Sequence, residues 1–194
     1  MKTPTVRVMT EAEEDSAVDI IALAFAADPM ARWTWPQARQ YLGAIVRMTR
    51  AFGGKSFSNG SAFCTDDYAA TALWLPPGLQ PDEEELSAVI ESTATPAIAR
   101  EAAPIFEQMA AYRPTEPHWY LPLIGADPAH QGQGHGNALM AFALARCDGD
   151  RSPAYLESSN PRNIPFYKRH GFEPLGEIQV GSSPTLVPML RPPR

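Results

Sequence analysis

The stretch that most constrains this chain is Gly125-Ala126-Asp127-Pro128-Ala129-His130-Gln131-Gly132-Gln133-Gly134-His135-Gly136-Asn137. His118 to Ile124, before it, reads as a strand; Ala138 to Ala145, after it, is apolar on every side and reads as a buried helix. Gly132, Gly134 and Gly136 fall at every second position between the two. Such spacing lets backbone N–H groups converge at a helix start, where they have no internal partner and the helix dipole is positive. Glycine also removes the side chains that would hold a phosphate away. The turn is therefore suited to an anion.

Two common anion loops do not fit. A Walker loop ends in G-K-[ST], where this chain has His135-Gly136-Asn137; a Rossmann fingerprint counted from Gly132 meets Asn137 at its third glycine. Gln131, Gly134 and Gly136 do fit Q-x-x-G-x-G, and this resembles the pyrophosphate loop of the GNAT superfamily of N-acetyltransferases. Ile124 to Pro128 is similar to the strand end and proline that precede that loop. Asn160, Tyr167 and Gly171-Phe172 resemble the second motif, N-x(6)-Y-x(3)-G-F. The runs 112–121 and 154–163 are similar to the puromycin N-acetyltransferase-like branch. The close likeness covers roughly Tyr112 to Phe172 and is specific for fold and acyl-CoA, not for the acceptor.

The resemblance implies an α/β (α+β) fold: a mixed, mostly antiparallel sheet of about six to seven strands, flanked by helices and splayed at the central strand. It implies acetyl-CoA as cosubstrate and no metal. Its cofactor site would comprise Ile124, Gly125 and Ala126 at the strand end and Gln131, Gly132, Gln133, Gly134, His135, Gly136 and Asn137 in the loop. Asn160, Asn163 and Tyr167 complete it. Tyr167, as the tyrosine of the second motif, would protonate the leaving thiolate; otherwise it is an amphipathic core tyrosine.

Acyl transfer to an amine needs an N–H for the oxyanion, a proton donor for sulfur and an acceptor for the amine's proton. The backbone N–H of Ile124 is the candidate for the first. Glu157, at a strand end beside the second motif, is the candidate base or a structural hydrogen-bond partner; His118 and Glu116 are weaker candidates. Trp33 and Trp35 are either core or an aromatic wall for the acceptor, together with the segment Pro81 to Ala111. Arg162, Lys168 and Arg169 could meet CoA phosphates or be ordinary exposed charges.

Length and charge narrow the partners. A chain of 194 residues fits a single domain, 1–194, with a substantial core. The net charge of -6 argues against nucleic acid. Cys64 and Cys147 are too few for a disulfide framework and read as reduced thiols. Met1-Lys2-Thr3-Pro4 has no signal-peptide core, and no apolar run reaches the ~18 residues of a membrane span. The expectation is a cytoplasmic protein, monomer or homodimer, acting on a primary amine of a small, antibiotic-like molecule. A protein or peptide lysine or N-terminal amine is the alternative acceptor; a non-catalytic acyl-CoA-binding regulatory module is the alternative class.

The remaining elements follow from pattern. Thr5 to Met9 alternates as a first strand; Thr10 and Glu13 form a capping box for a helix that Asp28-Pro29 ends. A second helix spans roughly Gln37 to Phe52, and Ser61 to Thr65 pairs with Thr71 to Leu75. Helices follow over Pro81 to Ser92 and from Thr95-Pro96 to about Ala111, the latter kinked or broken near Pro104. Ala154 to Glu157 is a parallel strand. Pro165 fits only a helix capped by Asn163, which leaves Asn160 free for a ligand and Gly171 at C′. Phe172 to Val180 and Thr185 to Leu190 close the sheet, with Pro188 marking an edge.

Overall fold

The computed structural model describes residues 3–194, so Met1 and Lys2 of the N-terminal reading lie outside the described residues. Seven strands form one sheet: β1 (Val6–Val8), β2 (Ala62–Thr65), β3 (Ala70–Leu75), β4 (Trp119–Ala126), β5 (Ala154–Ser158), β6 (Glu173–Pro174) and β7 (Val187–Arg191). Their order is β1-β2-β3-β4-β5-β7-β6, and only the β4–β5 pair is parallel. The mixed, mostly antiparallel sheet is thus the architecture present.

The helices are α1 (Glu14–Ala24), α2 (Pro29–Thr34), α3 (Ala38–Gly53), α4 (Lys55–Ser58), α5 (Glu83–Thr93), α6 (Pro96–Tyr112), α7 (His135–Gly149) and α8 (Ile164–Arg169). The two-residue period of the strands sorts the core. Ala70, Ala72 and Trp74 of β3 pack with Leu139, Met140 and Leu144 of α7 and Tyr167 of α8. Leu73 packs on the opposite face with Ile21 of α1 and Phe57 of α4. Both faces are covered, so the strands are apolar throughout. Helices α2, α3, α5 and α6 pack on one another beyond α1, around Trp35, Tyr41, Ile45 and Val89. Cys64 and Cys147 are free and fully buried, and burial pushes their thiols up to about 11 and about 12. Among the described residues no helix is long and apolar enough to cross a membrane.

Several local expectations change. The capping box forms, with Thr10 N–H and hydroxyl both 2.9 Å from Glu13 Oε2, but it opens a 3-10 turn, Glu11–Glu13, ahead of α1. The Trp33–Trp35 connection contains α2. Helix α6 runs through Pro104 without a break: Ala102, Ile105 and Met109 bury its inner face, and the carbonyl the proline leaves unpaired belongs to exposed Arg100. The strand expected over Phe172 to Val180 shrinks to β6 and one bridge, Ile178 to Leu186.

Pro188 is not at an edge, because β7 lies between β5 and β6. Its carbonyl accepts from Leu175 N–H at 2.8 Å, so its missing donor faces the β6 side too, where pairing ends at Pro174. A proline costs little where the neighbouring strand is only two residues long.

Candidate active site

The site begins at an irregularity in β4. Leu123 lies opposite Leu73 and Tyr120 opposite Leu75, so β4 spends one extra residue there. Pro122 falls inside this bulge, where no ladder bond is required of it. On its other side β4 pairs with β5 at only two positions, Trp119 with Ala154 and Tyr120 with Tyr155. Beyond them the two strands part.

The backbone facing this split can be identified. Asp127 N–H donates to Ala69 O at 2.9 Å, which turns residues 127, 125 and 123 toward β3. Ile124, opposite Ala72, belongs to the alternate set, so its N–H points away from β3 and into the split. The expectation for Ile124 rests on that alternation. Gly125 packs against α1, where a Cβ would stand 2.6 Å from the Ala24 methyl. The carbonyl of Ala126 receives the Gln131 amide at 3.5 Å.

A single 3-10 turn, Pro128–His130, capped by Asp127 Oδ1 at 2.8 Å from Ala129 N–H, carries the chain from β4 into the glycine loop. Gly132 and Gly134 hold φ of +76° and +92°, the left-handed region where a side chain is strained. Gly134 is the N-cap of α7, and Gly136 sits where a Cβ would be 3.4 Å from the Phe166 ring. Among the described residues, no backbone N–H from Gly134 to Asn137 donates to a protein acceptor. These groups fit a diphosphate, which needs converging donors and no side chain in the way. The side chains of the loop turn elsewhere. Gln133 reaches the Ala129 carbonyl at 3.4 Å, His135 is buried 3.9 Å from Asp67, and Asn137 lies 3.1 Å from His170 of the α8 terminus.

The second motif departs from expectation at its asparagines. Pro161–Asn163 forms a 3-10 turn, and Asn160 Oδ1 caps it by accepting from Arg162 N–H at 3.1 Å. The Asn160 oxygen is therefore engaged as a cap, because Pro161 starts helical geometry one turn early. Asn163 stands at the N-cap position of α8 but makes no side-chain cap bond. Gly171 is the C′ glycine, with φ of +89° and its N–H on Lys168 O at 2.9 Å. Tyr167 is buried among Phe166 and Phe172, with ring centroids at 5.2 and 6.2 Å. Burial, and then the Asp28 charge, push its phenol well above the usual value, so it holds its proton at neutral pH.

On the opposite side of the split, a cavity of about 140 Å³ lies between the sheet and α2, α3, α5 and α6. Trp33 and Trp35 both line it, as do Phe25, Met48, Phe52 and Phe106. Trp35 is also core, 2 % exposed, with its indole N–H on Thr93 Oγ1 at 2.9 Å; Trp33 bonds Ser182 at 3.0 Å. Glu157 reaches the cavity from the end of β5, two residues from Ser159 on the same face. Its Oε1 is buried with no partner. Burial raises the Glu157 carboxyl, against the opposing pull of the Tyr120 hydroxyl and the Arg113 guanidinium. Arg113 itself lies over the Tyr120 ring at 5.0 Å.

His118 does not join this group. It is buried edge-on against Tyr155 at 5.9 Å, with Nδ1 on the Glu116 carbonyl at 2.8 Å, and burial lowers its pKa. Glu116 is exposed. Neither lines the cavity: His118 precedes β4 and is covered by Tyr155, and Glu116 lies in the turn before it.

Sequence reasoning missed Asp28. Read only as a helix stop, it is the N-cap of α2, with Oδ1 accepting from Met30 and Ala31 N–H at 3.0 and 3.1 Å. Its Oδ2 accepts from Ser159 Oγ at 2.7 Å, it lines the cavity, and it is 7 % exposed. Burial pushes its carboxyl up, opposed by the bonds from Ser159, Ala31 and Met30. The Asp-Pro pair was the available signal, since aspartate followed by proline also starts helices.

An acetyltransferase (GNAT) domain model matches residues 98–174. An uncharacterized N-acetyltransferase of Schizosaccharomyces pombe is 29 % identical over 118 residues, which is 55 % of this chain and 48 % of that protein. The chain thus spans about half the length of that relative. A solved structure described as histone acetyltransferase HPA2 and related acetyltransferase, from Corynebacterium glutamicum, is 26 % identical with TM-score 0.70, covering 100 % of this chain and 98 % of that one. Arylalkylamine N-acetyltransferase 2 of Aedes aegypti shares the fold at 11 % identity, with TM-score 0.67 and 100 % of both chains covered.

Proposed function

We propose, from the placement of this chain among GNAT-superfamily acetyltransferases, that it moves an acetyl group from acetyl-CoA to a primary amine of a small molecule. The observation that carries the reading is the β4–β5 split. The unpaired N–H groups of Gly134 to Asn137 lie beyond one end of β4, and the cavity bearing Glu157 opens beside its bulge. The loop would hold the diphosphate, and the split would receive the pantetheine arm.

The residues then divide the chemistry. The amine nitrogen attacks the thioester carbonyl; an N–C bond forms, and the C–S bond breaks on collapse of the oxyanion. Ile124 N–H donates to that oxyanion. Glu157 takes the proton the nitrogen loses, directly or through water. Tyr167 gives its proton to the departing thiolate and regains one from solvent. Trp33 and Trp35 shape the acceptor pocket. The likeness of 112–121 and 154–163 to the puromycin N-acetyltransferase branch supports an antibiotic-like amine. The full-length similarity to the Corynebacterium protein favours a protein lysine as second reading.

Thiol release from acetyl-CoA, measured with small amines and with lysine peptides, tests the activity. Release with small amines is expected. Acetyl-CoA binding without release for any amine would make the chain a binding module instead.

A further inference from the structure

We infer that the acceptor is a monocationic amine on an apolar body bearing one neutral hydrogen-bonding group, with Asp28 receiving the ammonium and Thr49 the neutral group. This rests on the amine-transfer reading above. The composition of the cavity wall carries it. Among the described residues, Asp28 and Glu157 are its only carboxyl groups, and no lysine, arginine or histidine lines it. The remainder is mostly apolar and includes Trp33, Trp35, Met48, Phe52 and Phe106. With Asp28 taking the first ammonium, a second one on the ligand would find only Glu157 as partner and would occupy the carboxylate that must accept the nucleophile's proton, which disfavours polyamines as acceptors.

Asp28 is suited to the first ammonium. Ser159 and two helix N–H groups fix its orientation, and an incoming cation favours its ionised form over the neutral one that burial promotes. Glu157 shares the cavity and remains the proton acceptor: the ammonium gives one proton through Glu157 to solvent before attack and a second to Glu157 as the N–C bond forms, so binding and deprotonation fall to different carboxylates.

Thr49 supplies the independent observation. It lies on α3 in the same wall, is 1 % exposed, and its Oγ1 has no hydrogen-bond partner. A buried hydroxyl in an apolar wall is costly unless something bonds it. A hydroxyl on the acceptor would do so, and such paired groups discriminate strongly between ligands that carry them and ligands that do not.

The test compares kcat/KM for tyramine, phenethylamine, spermidine and a lysine peptide at saturating acetyl-CoA. Tyramine should lead phenethylamine, and both should exceed spermidine and the peptide by about tenfold or more. Thr49→Val keeps the side-chain shape and should shrink the tyramine-to-phenethylamine ratio to near one. Asp28→Asn keeps the α2 cap, because asparagine accepts the same N–H bonds. It should raise KM for tyramine about tenfold while leaving inhibition by the uncharged analogue tyrosol unchanged within about twofold. Preference for spermidine or the peptide overturns the inference but not the acetyltransfer. An unchanged tyramine ratio in Thr49→Val, or an equal loss of tyrosol in Asp28→Asn, also overturns it. Thiol release with none of the four, while CoA still binds, removes the function on which it rests.

Discussion

The two sides of the β4–β5 split are built from different materials. The loop side is backbone: the N–H groups of residues 131–137, two glycines at positive φ, and side chains that bond their own neighbours. The cavity side is side chain: Phe25, Trp35, Met48, Phe106 and Glu157, brought together from α1, α3, α6, β5 and the connections between them. A backbone site tolerates change in its side chains but not in its dihedral angles. A side-chain site tolerates apolar exchange at constant volume but not loss of its few polar groups.

The comparison can be broken most sharply at one hydroxyl, that of Tyr167, and one carboxyl, that of Glu157. Tyr167→Phe retains the ring packing against Phe166 and Phe172, so acetyl-CoA affinity should hold while turnover falls about 10²-fold. Turnover equal to wild type, with chemistry rate-limiting, would return Tyr167 to a purely packing role. Glu157→Gln should cost a similar or somewhat smaller factor and remove the acid limb of the pH–rate profile. That limb should stand above the ordinary carboxyl range, because burial raises Glu157.

The same shift has a sign for stability. A carboxyl that binds its proton more tightly when folded favours the folded state at low pH, and that contribution fades as pH rises through the ordinary value toward the raised one. Glu157→Gln should therefore raise Tm at pH 8 relative to wild type, with the gap closing toward pH 4 in thermal melts. A gap that widens on acidification contradicts the raised carboxyl.

Gly134→Val tests the other side. A β-branched residue at φ of +92° costs at least the ~1–2 kcal/mol of the left-handed region, so CoA affinity by calorimetry should fall about tenfold or more. Gln131→Ala and Gln133→Ala, whose amides make only the marginal bonds at 3.5 and 3.4 Å, should stay within about threefold of wild type. Larger losses would mean that the loop works through side chains after all. The smallest effect belongs to Trp35→Phe. It removes the bond to Thr93, whose hydroxyl still donates to Val89 O at 2.6 Å, and should lower stability by about 1 kcal/mol in denaturant unfolding.

This difference in material explains what could be read in advance. Backbone geometry is encoded locally, so Gly134 and Gly136 foretold the glycine turn that opens α7, and Gly171 the end of α8. The strand–loop–helix order and the parallel β5 followed from the same stretch. The cavity is encoded by volume, and many apolar sets fill a volume, so nothing in Met48 or Phe106 separates lining from core. Trp35 is both at once. Asp28 was misjudged because α1 ends at Ala24 and α2 begins at Pro29, only five positions later, and a sequence pattern sees the interruption before it sees the cap. The loop placement of Asn160 failed by the reverse error: Pro165 was used to place the helix, while Pro161 had already begun a turn that Asn160 Oδ1 caps.

The two pairs joining β4 to β5 also carry a mechanical meaning. The sheet is two plates, β1–β4 and β5-β7-β6, meeting along a seam with little cohesion of its own. Helix α7 splints it, because Leu139, Met140 and Leu144 belong to one cluster with Ala72 and Trp74 on one plate and Leu156 and Met189 on the other. Thermal opening should begin as a crack along that seam, at the end farthest from Trp119. A ligand lying across it works as a staple, and the melting temperature of the whole chain should climb with its concentration.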